Sequence, residues 1–179
     1  MIVALTAPAL ASDPLVNLRT AVPSAVLDVR YASPRNFTGK TLYPEAAAFL
    51  RRSTAVKLAR AAEALRPRGL RLVIYDAYRP LSVQRALWAA KPDRRFVADP
   101  TRRGSAHNRG GAVDVGLADA DGHVLEMPTD FDAFDAVVVR AIRKDAAKVP
   151  CVTRTTDLTV DRGVIGHDPV RIYQKIGII

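Results

Sequence analysis

Residues 70–80 have the sequence LRLVIYDAYRP, a short apolar run that leads into a polar turn. The apolar part, Leu70–Tyr75, has the length and composition of a buried strand. A helix is predicted directly after Pro80, with Ser82 as its cap. The apolar side chains that it carries are Val83, Ala86, Leu87 and Trp88. Arg79 would therefore be held between a strand end and a helix start, where its planar guanidinium suits an anionic oxygen or a carboxylate.

The elements outward from this stretch are predicted by periodicity and turn residues. Val26–Tyr31 alternates as a half-buried strand does, and a polar loop over 32–40 follows, with Asn36 and Gly39 as turn residues. Ser53 or Thr54 is predicted to cap a helix that ends near Leu65. The residues expected on its buried side are Val56, Leu58, Ala62 and Leu65.

Further along the chain, a long loop is predicted from Lys91 to Ala106, a strand over Ala112–Leu117 and a helix from Phe131 to about Lys148. Because helices and strands do not alternate in βαβ order, these elements predict an α+β fold. We expect a single domain with a small, mostly antiparallel sheet flanked by helices.

The composition is that of a folded globular protein. The chain has 179 residues, 49% of them hydrophobic, and a net charge of +9. Its lysines and arginines are scattered rather than gathered on a basic helix with aromatics, so nucleic acid is not expected as a partner. Cys151 is the only cysteine, which excludes an intrachain disulfide and a thiolate metal cluster. The oligomeric state is not indicated.

Residues 1–11 are mostly apolar, and Ala9-Leu10-Ala11 precedes Ser12 in the small-x-small pattern of a signal-peptidase site. They are predicted to be the remnant of a signal peptide, which would make the protein periplasmic or secreted. An ordinary buried N-terminal strand is the alternative, and the protein would then be cytoplasmic. No other apolar run approaches the roughly 20 residues that span a bilayer, so no transmembrane segment is expected.

Residues 105–114, SAHNRGGAVD, carry a histidine and an aspartate seven positions apart. The two glycines and the following valines argue against a helix and favour a tight turn that carries His107, followed by a strand that presents Asp114. Imidazole nitrogen and carboxylate oxygen are ordinary zinc ligands, and a catalytic zinc site has three protein ligands with one open position. Taken alone, this segment favours a structural pair or a chance proximity at the surface over a metal site.

The two segments 76–80 and 105–114 together resemble the paired signature of the D-alanyl-D-alanine dipeptidases. This family belongs to the zinc DD-peptidases, which share a fold with the Hedgehog signalling domain. The resemblance runs in order from about Leu27 to Asp135. Its further blocks are Asp28-Val29-Arg30-Tyr31, Asn36-Phe37-Thr38-Gly39-Lys40, Leu42-Tyr43, Glu126-Met127 and Phe131-Asp132.

The resemblance implies a role for particular residues. His107 and Asp114 would bind a catalytic Zn²⁺, Arg79 would stabilise the tetrahedral transition state, and Ser105 would lie beside the substrate. The implied reaction is zinc-dependent hydrolysis of the D-Ala-D-Ala dipeptide in the turnover of cell-wall precursors. The extent of the resemblance divides the chain into a dipeptidase-like domain over 12–135 and a divergent or frame-shifted end over 136–179.

The family's Glu-x-x-His motif, which supplies the third zinc ligand and the general base, is not recognisable. Glu126 is the last glutamate, and Val164 stands three residues before His167. Three explanations stay open: a shifted or recombined end, a pseudoenzyme that binds peptidoglycan fragments without catalysis, and a rebuilt site in which His167 is the third ligand and an aspartate is the general base. His123, beside Gly122, is expected in a solvent-facing turn. As written, the chain is expected to hydrolyse D-Ala-D-Ala poorly or not at all.

Overall fold

The computed structural model describes residues 12–126 and 131–132. The predicted helix from Phe131, the signal-peptide remnant, Cys151 and His167 lie wholly or mostly outside these residues. Every helix in the described ranges is too short or too polar to cross a bilayer. The regular elements are β1 (Leu15–Asn17), α1 (Leu18–Ala21), β2 (Val26–Leu27), β3 (Phe49–Arg51), α2 (Arg52–Leu65), β4 (Arg71–Asp76), α3 (Leu81–Ala90) and β5 (Asp114–Ala118), with 3₁₀ turns at Arg30–Ala32, Arg66–Arg68 and Ala106–Arg109.

The described strands form two small sheets, of orders β1-β3 and β2-β4-β5. Strand β4 is parallel to β2 and antiparallel to β5, and β1 is antiparallel to β3. The α+β class and the mostly antiparallel pairing are therefore confirmed, although the strands are divided between two sheets instead of one. At the end of β4 the register shifts, and Asp76 is paired with Asp114. This pairing brings the segment 70–80 against the segment 105–114.

Helix α2 covers the core with a stripe of buried residues that differs in part from the prediction. The buried positions are Thr54, Ala55, Leu58, Ala61, Ala62 and Leu65. Val56, predicted to be buried, is 47% exposed. Successive helical residues lie about 100° apart around the axis, so Val56 is turned away from the face that Ala55 shares with Leu58 and Leu65. The periodicity was correct, but Val56 was assigned to the wrong face.

Both predicted helix caps are wrong. Helix α2 begins at Arg52, and Ser53 lies in its first turn, where its backbone N–H and Oγ donate to the carboxylate of Asp13 at 3.0 and 2.7 Å. An aspartate from a distant segment thus supplies the acceptor that a local cap would provide. Helix α3 begins at Leu81, and Ser82 likewise lies inside its first turn.

The predicted strand Val26–Tyr31 is wrong beyond its second residue. Only Val26–Leu27 is strand, and the chain then turns into the 3₁₀ segment Arg30–Ala32. The turn places the Tyr31 side chain in the core, where it is 2% exposed. An apolar residue at every second position predicted a half-buried strand. Here most of these residues are buried along a bend, which produces the same pattern. The loops over 32–40 and 91–105, β4 and β5 lie within a few residues of their predicted positions.

Gly110 ends the 3₁₀ turn that carries His107, with a left-handed backbone at φ +69°. A Cβ here would lie 2.7 Å from Leu15 Cδ2 and 3.1 Å from the Arg51 backbone nitrogen. Replacing Gly110 by alanine is expected to lower the free energy of unfolding by about 2–4 kcal/mol, because about 1–2 kcal/mol of backbone strain is joined by overpacking. Urea denaturation would measure the change.

Gly39→Ala is the matched control for this substitution. Gly39 has nearly the same φ, +64°, but a Cβ there meets nothing within 4 Å. The control should therefore lose only the part due to the left-handed backbone. Equal losses in the two variants would contradict the packing argument for Gly110.

Candidate active site

The structure brings together three of the residues singled out in the sequence. His107 lies in the 3₁₀ turn Ala106–Arg109, Asp114 is the first residue of β5, and Arg79 lies between β4 and α3. All three side chains are buried, with exposures of 2%, 4% and 6% for His107, Asp114 and Arg79. His107 Nε2 is 3.5 Å from Asp114 Oδ1, and Arg79 Nη2 is 3.7 Å from Asp114 Oδ2. The predicted turn-then-strand geometry of 105–114 is confirmed.

Ser105 and Asn108 build the turn that presents His107. The Ser105 Oγ accepts a hydrogen bond from the His107 backbone N–H, and Asn108 Oδ1 accepts from the Ser105 N–H at 2.8 Å, which is a reciprocal capping box. The Asn108 side chain also donates to the Arg79 carbonyl at 2.8 Å, and the Arg79 N–H donates to the His107 carbonyl at 3.0 Å. Half-buried Ser105 is thus placed at the edge of the site, and Arg79 and His107 are held at a fixed separation.

The hydrogen bonds of His107 determine its tautomer. Its Nδ1 lies 2.8 Å from the carbonyl oxygen of Ala77. A carbonyl oxygen can only accept, so Nδ1 carries a proton, and in the neutral imidazole Nε2 is then the nitrogen with the lone pair. Nε2 is the nitrogen that faces Asp114. A backbone acceptor behind the ring is the usual support of a metal-binding histidine, because it fixes both the tautomer and the ring orientation.

His107 and Asp114 have the separation of two ligands of one metal ion. Two ligands about 2.1 Å from a tetrahedral ion stand about 3.4 Å apart. The observed distance from Nε2 to Oδ1 is 3.5 Å. Both atoms come from ligand types that zinc accepts, and both residues are buried. The pair therefore fits a zinc ion, for which it would supply two of the ligands.

Asp76 lies close to this pair, but on the other side of the imidazole. The ligand atoms of Asp76, His107 and Asp114 all lie within 4.8 Å of one another. However, Asp76 Oδ2 is 3.5 Å from Nδ1, the nitrogen that already donates to Ala77. The other Asp76 oxygen accepts from Tyr43 Oη at 2.6 Å. Because Asp76 Oδ2 faces Nδ1 and both Asp76 oxygens already accept hydrogen bonds from Arg79 and Tyr43, we assign Asp76 to holding the site in place and not to the metal.

Arg79 is held by several partners at once. Its Nε and Nη2 both donate to Asp76 Oδ2, at 2.9 and 2.5 Å, and its Nη1 donates to Gln84 Oε1 at 2.9 Å. The guanidinium carbon lies 5.2 Å from the centre of the Tyr31 ring. Burial opposes the charge on Arg79, but the carboxylates of Asp76 and Asp114 offset this effect and the pKa of Arg79 is raised above its ordinary value. The site therefore contains a permanent, fixed positive charge beside Asp114.

Four residues around Arg79 were not assigned a role from the sequence: Asp76, Tyr43, Gln84 and Tyr31. Burial, with the charge of Asp76, raises the pKa of Tyr43 well above its ordinary value, so its hydroxyl remains a donor. Asp76 and Gln84 are both 0% exposed. Two features of the sequence could have identified Asp76 and Gln84. One is a carboxylate at the end of an apolar strand, and the other is a glutamine between Val83 and Leu87 on a helix. A polar residue in a buried position requires a partner.

A second group of candidate ligands lies at the surface, in the turn after β5. Asp119, Asp121 and His123 have their ligand atoms within 4.8 Å of one another. His123 is exposed, as predicted, and its Nδ1 is 3.1 Å from Asp119 Oδ2. Asp119 is half-buried and the other two are exposed, whereas the His107 pair is buried. The buried pair is the better metal site.

Comparison with known proteins places this chain in a family. The model of the peptidase M15 family, described as D-ala-D-ala dipeptidase, matches residues 11–150. The chain belongs to this family. The match includes Arg79, Ser105, His107 and Asp114, and also the supporting residue Asp76. It ends before His167, which lies outside the described residues.

A curated relative of the chain is the D-alanyl-D-alanine dipeptidase of Escherichia coli (strain K12). It is 42% identical to this chain over 118 residues, which cover 66% of the chain and 61% of the relative. The aligned part of the chain thus spans about three-fifths of the relative's length.

Proposed function

We propose that the chain is a zinc-dependent peptidase that hydrolyses the D-Ala-D-Ala dipeptide in cell-wall precursor turnover. The observation that carries the proposal is the buried pair of His107 Nε2 and Asp114 Oδ1, 3.5 Å apart, with the Arg79 guanidinium beside it. Membership of the peptidase M15 family supports peptide hydrolysis, and the name of the Escherichia coli relative supports D-Ala-D-Ala as the substrate.

The proposed chemistry gives each residue a separate task. His107 and Asp114 would hold zinc, which when bound supplies Lewis-acid polarisation of the scissile carbonyl. Arg79 would donate to the oxygen on which negative charge develops, and a donor fixed in advance needs no reorganisation during the reaction. Ser105, at the edge of the site, would contact the substrate. Asp76 would keep both Arg79 and the imidazole in place.

The third metal ligand and the general base would come from outside the described residues. His167 remains the proposed third ligand. Since the printed sequence has no Glu-x-x-His motif, a base at its usual place is absent, and general base catalysis commonly contributes about 10²–10⁴-fold. We therefore expect zinc-dependent turnover that is lower than that of the Escherichia coli relative. The absence of the Glu-x-x-His motif also favours a second candidate function, which is non-catalytic binding of peptidoglycan fragments.

The test measures zinc stoichiometry and D-Ala-D-Ala hydrolysis on the purified chain, with the Escherichia coli relative assayed in parallel. We expect one tightly bound zinc and weak, zinc-dependent turnover, both lost in His107→Ala. His123→Ala is the matched control, because it removes an exposed histidine and should change neither quantity.

The outcomes separate the candidates. Bound zinc with no turnover, together with binding of a peptidoglycan fragment, would favour the non-catalytic function. Turnover near that of the relative would contradict the expected reduction. Absence of zinc from the wild-type chain, or zinc content that is unchanged in His107→Ala, would contradict the proposed metal site.

A further inference from the structure

Gln84 is a buried polar residue whose amide is engaged at both ends. Its side chain is 0% exposed, in the first turns of α3. Its Oε1 accepts from Arg79 Nη1 at 2.9 Å, and its Nε2 donates to the Ala98 carbonyl at 2.7 Å. The orientation of the amide is unambiguous, since a guanidinium can only donate and a carbonyl oxygen can only accept.

The contact with Gln84 gives Arg79 a second point of attachment. The Nε and Nη2 groups of Arg79 both donate to one atom, Asp76 Oδ2. A single acceptor atom acts as a pivot, about which the guanidinium could tilt toward or away from Asp114. The bond from Nη1 to Gln84 lies on the other arm of the fork and opposes this tilt.

The N–H donors of Arg79 are shared among its neighbours. A guanidinium has five N–H groups. Asp76 takes one from Nε and one from Nη2, and Gln84 takes one from Nη1. Asp76 and Gln84 therefore use three of the five N–H groups, and the Tyr43 hydroxyl also interacts with the guanidinium. Nη2 is the nitrogen nearest Asp114, at 3.7 Å, so this terminal nitrogen lies beside the proposed metal site.

The other end of Gln84 holds the loop over 91–105, which connects α3 to the turn that carries His107. Ala98 lies in the middle of this loop, and neighbouring Val97 is buried in the core. The loop exposes four arginines: Arg94, Arg95, Arg102 and Arg103. Its last residue is Ser105, predicted to contact the substrate. One amide therefore connects the arginine of the site to the loop that ends beside it.

We propose that Gln84 is a positioning residue that fixes the tilt of Arg79 and ties the loop over 91–105 to it. The inference rests on the proposed function for its effect on catalysis. Its structural part concerns only Arg79, Gln84 and Ala98. Loss of the amide would let the guanidinium tilt about Asp76 and would loosen the loop.

Gln84→Met, which keeps the length and burial of the side chain, tests the proposal. We expect kcat to fall roughly 10- to 100-fold with KM changed less than about threefold, because small misplacement of a catalytic group is costly. In ¹⁵N spectra of the arginine side chains, the Arg79 Nη1 signal should shift and lose its protection from solvent exchange. Trypsin should cut the loop over 91–105 several times faster than in the wild type.

Two further variants separate positioning from simple destabilisation. Gln84→Glu keeps an acceptor for Arg79 but has no donor for Ala98, so trypsin cleavage should accelerate while Arg79 Nη1 stays protected. Val83→Ala removes packing from the adjacent buried position. It should lower the melting temperature without shifting the Arg79 signal or accelerating cleavage of the loop.

The proposal is overturned if Gln84→Met only lowers the melting temperature, as Val83→Ala does, with an unchanged Arg79 signal and unchanged cleavage. If the wild type shows no zinc-dependent turnover, the proposed function fails instead. The Arg79 signal and the cleavage rate then still decide whether Gln84 holds Arg79 and the loop.

Discussion

Replacing Asp76 by alanine is expected to lower the free energy of unfolding by about 3–5 kcal/mol, because it leaves a buried arginine without the carboxylate to which it is hydrogen-bonded. Asp76 is 0% exposed and accepts hydrogen bonds from Arg79 Nε, Arg79 Nη2 and Tyr43 Oη. All three donors would lose their acceptor in a place that water reaches poorly. Urea denaturation at constant pH measures the change as a shift of the midpoint.

Asp93→Ala is the matched control, since it also removes an aspartate from an aspartate–arginine pair. Asp93 pairs with Arg95 on the loop over 91–105, where the Arg95 side chain is 65% exposed. Water replaces a lost partner at such a site, and exposed pairs contribute little to stability. We expect the Asp76 variant to be far less stable than the Asp93 variant. Similar stabilities would show that Asp76 does not hold a buried charge.

Replacing Arg79 by lysine is expected to lower kcat for D-Ala-D-Ala hydrolysis by about 10²–10³, the usual effect of removing one fixed donor to a developing oxyanion. A lysine keeps the positive charge but loses the planar fork. It cannot hold Asp76 and Gln84 while also directing donors toward the edge beside Asp114. Steady-state kinetics in the presence of zinc would separate the fall in kcat from any change in KM.

Arg85→Lys is the control for this substitution. Arg85 is exposed on α3, six residues further along the chain, and the same chemical change there should leave kcat as it is. A kcat for Arg79→Lys within about threefold of the wild type would remove Arg79 from the proposed role in the transition state.

The parts of the fold that local sequence determines were predictable. Strand β4, the end of α2 near Pro67 and Gly69, and the turn-then-strand geometry of 105–114 follow from apolar runs and from glycine or proline. Asp114 was placed correctly on its strand, although the strand begins at Asp114 and not at Ala112 as predicted. The family signature then connected two segments whose proximity no local pattern could give, and the register of β4 with β5 is what brings them together.

The parts that depend on distant partners were not predictable. Ser53 is not a cap, because Asp13 from a remote segment supplies the acceptor. Tyr31 is buried by a bend that the alternating pattern of 26–31 concealed. Asp76 and Gln84 had no assigned role, since a polar residue in an apolar segment indicates a partner without naming it. The partners of Ser53 and Asp76 include residues far away in the sequence, Asp13 and Tyr43, whereas Arg79 lies only three and five residues from Asp76 and Gln84 and meets them through the turn between β4 and α3.

Anomalous diffraction from a zinc-soaked crystal would show whether His107 Nε2 and Asp114 hold the metal. Data collected on both sides of the zinc absorption edge would locate the ion without assuming its ligands. We expect a peak about 2.0–2.2 Å from both His107 Nε2 and an Asp114 oxygen. A peak on the Nδ1 side against Asp76, or only at the exposed group of Asp119, Asp121 and His123, would contradict it.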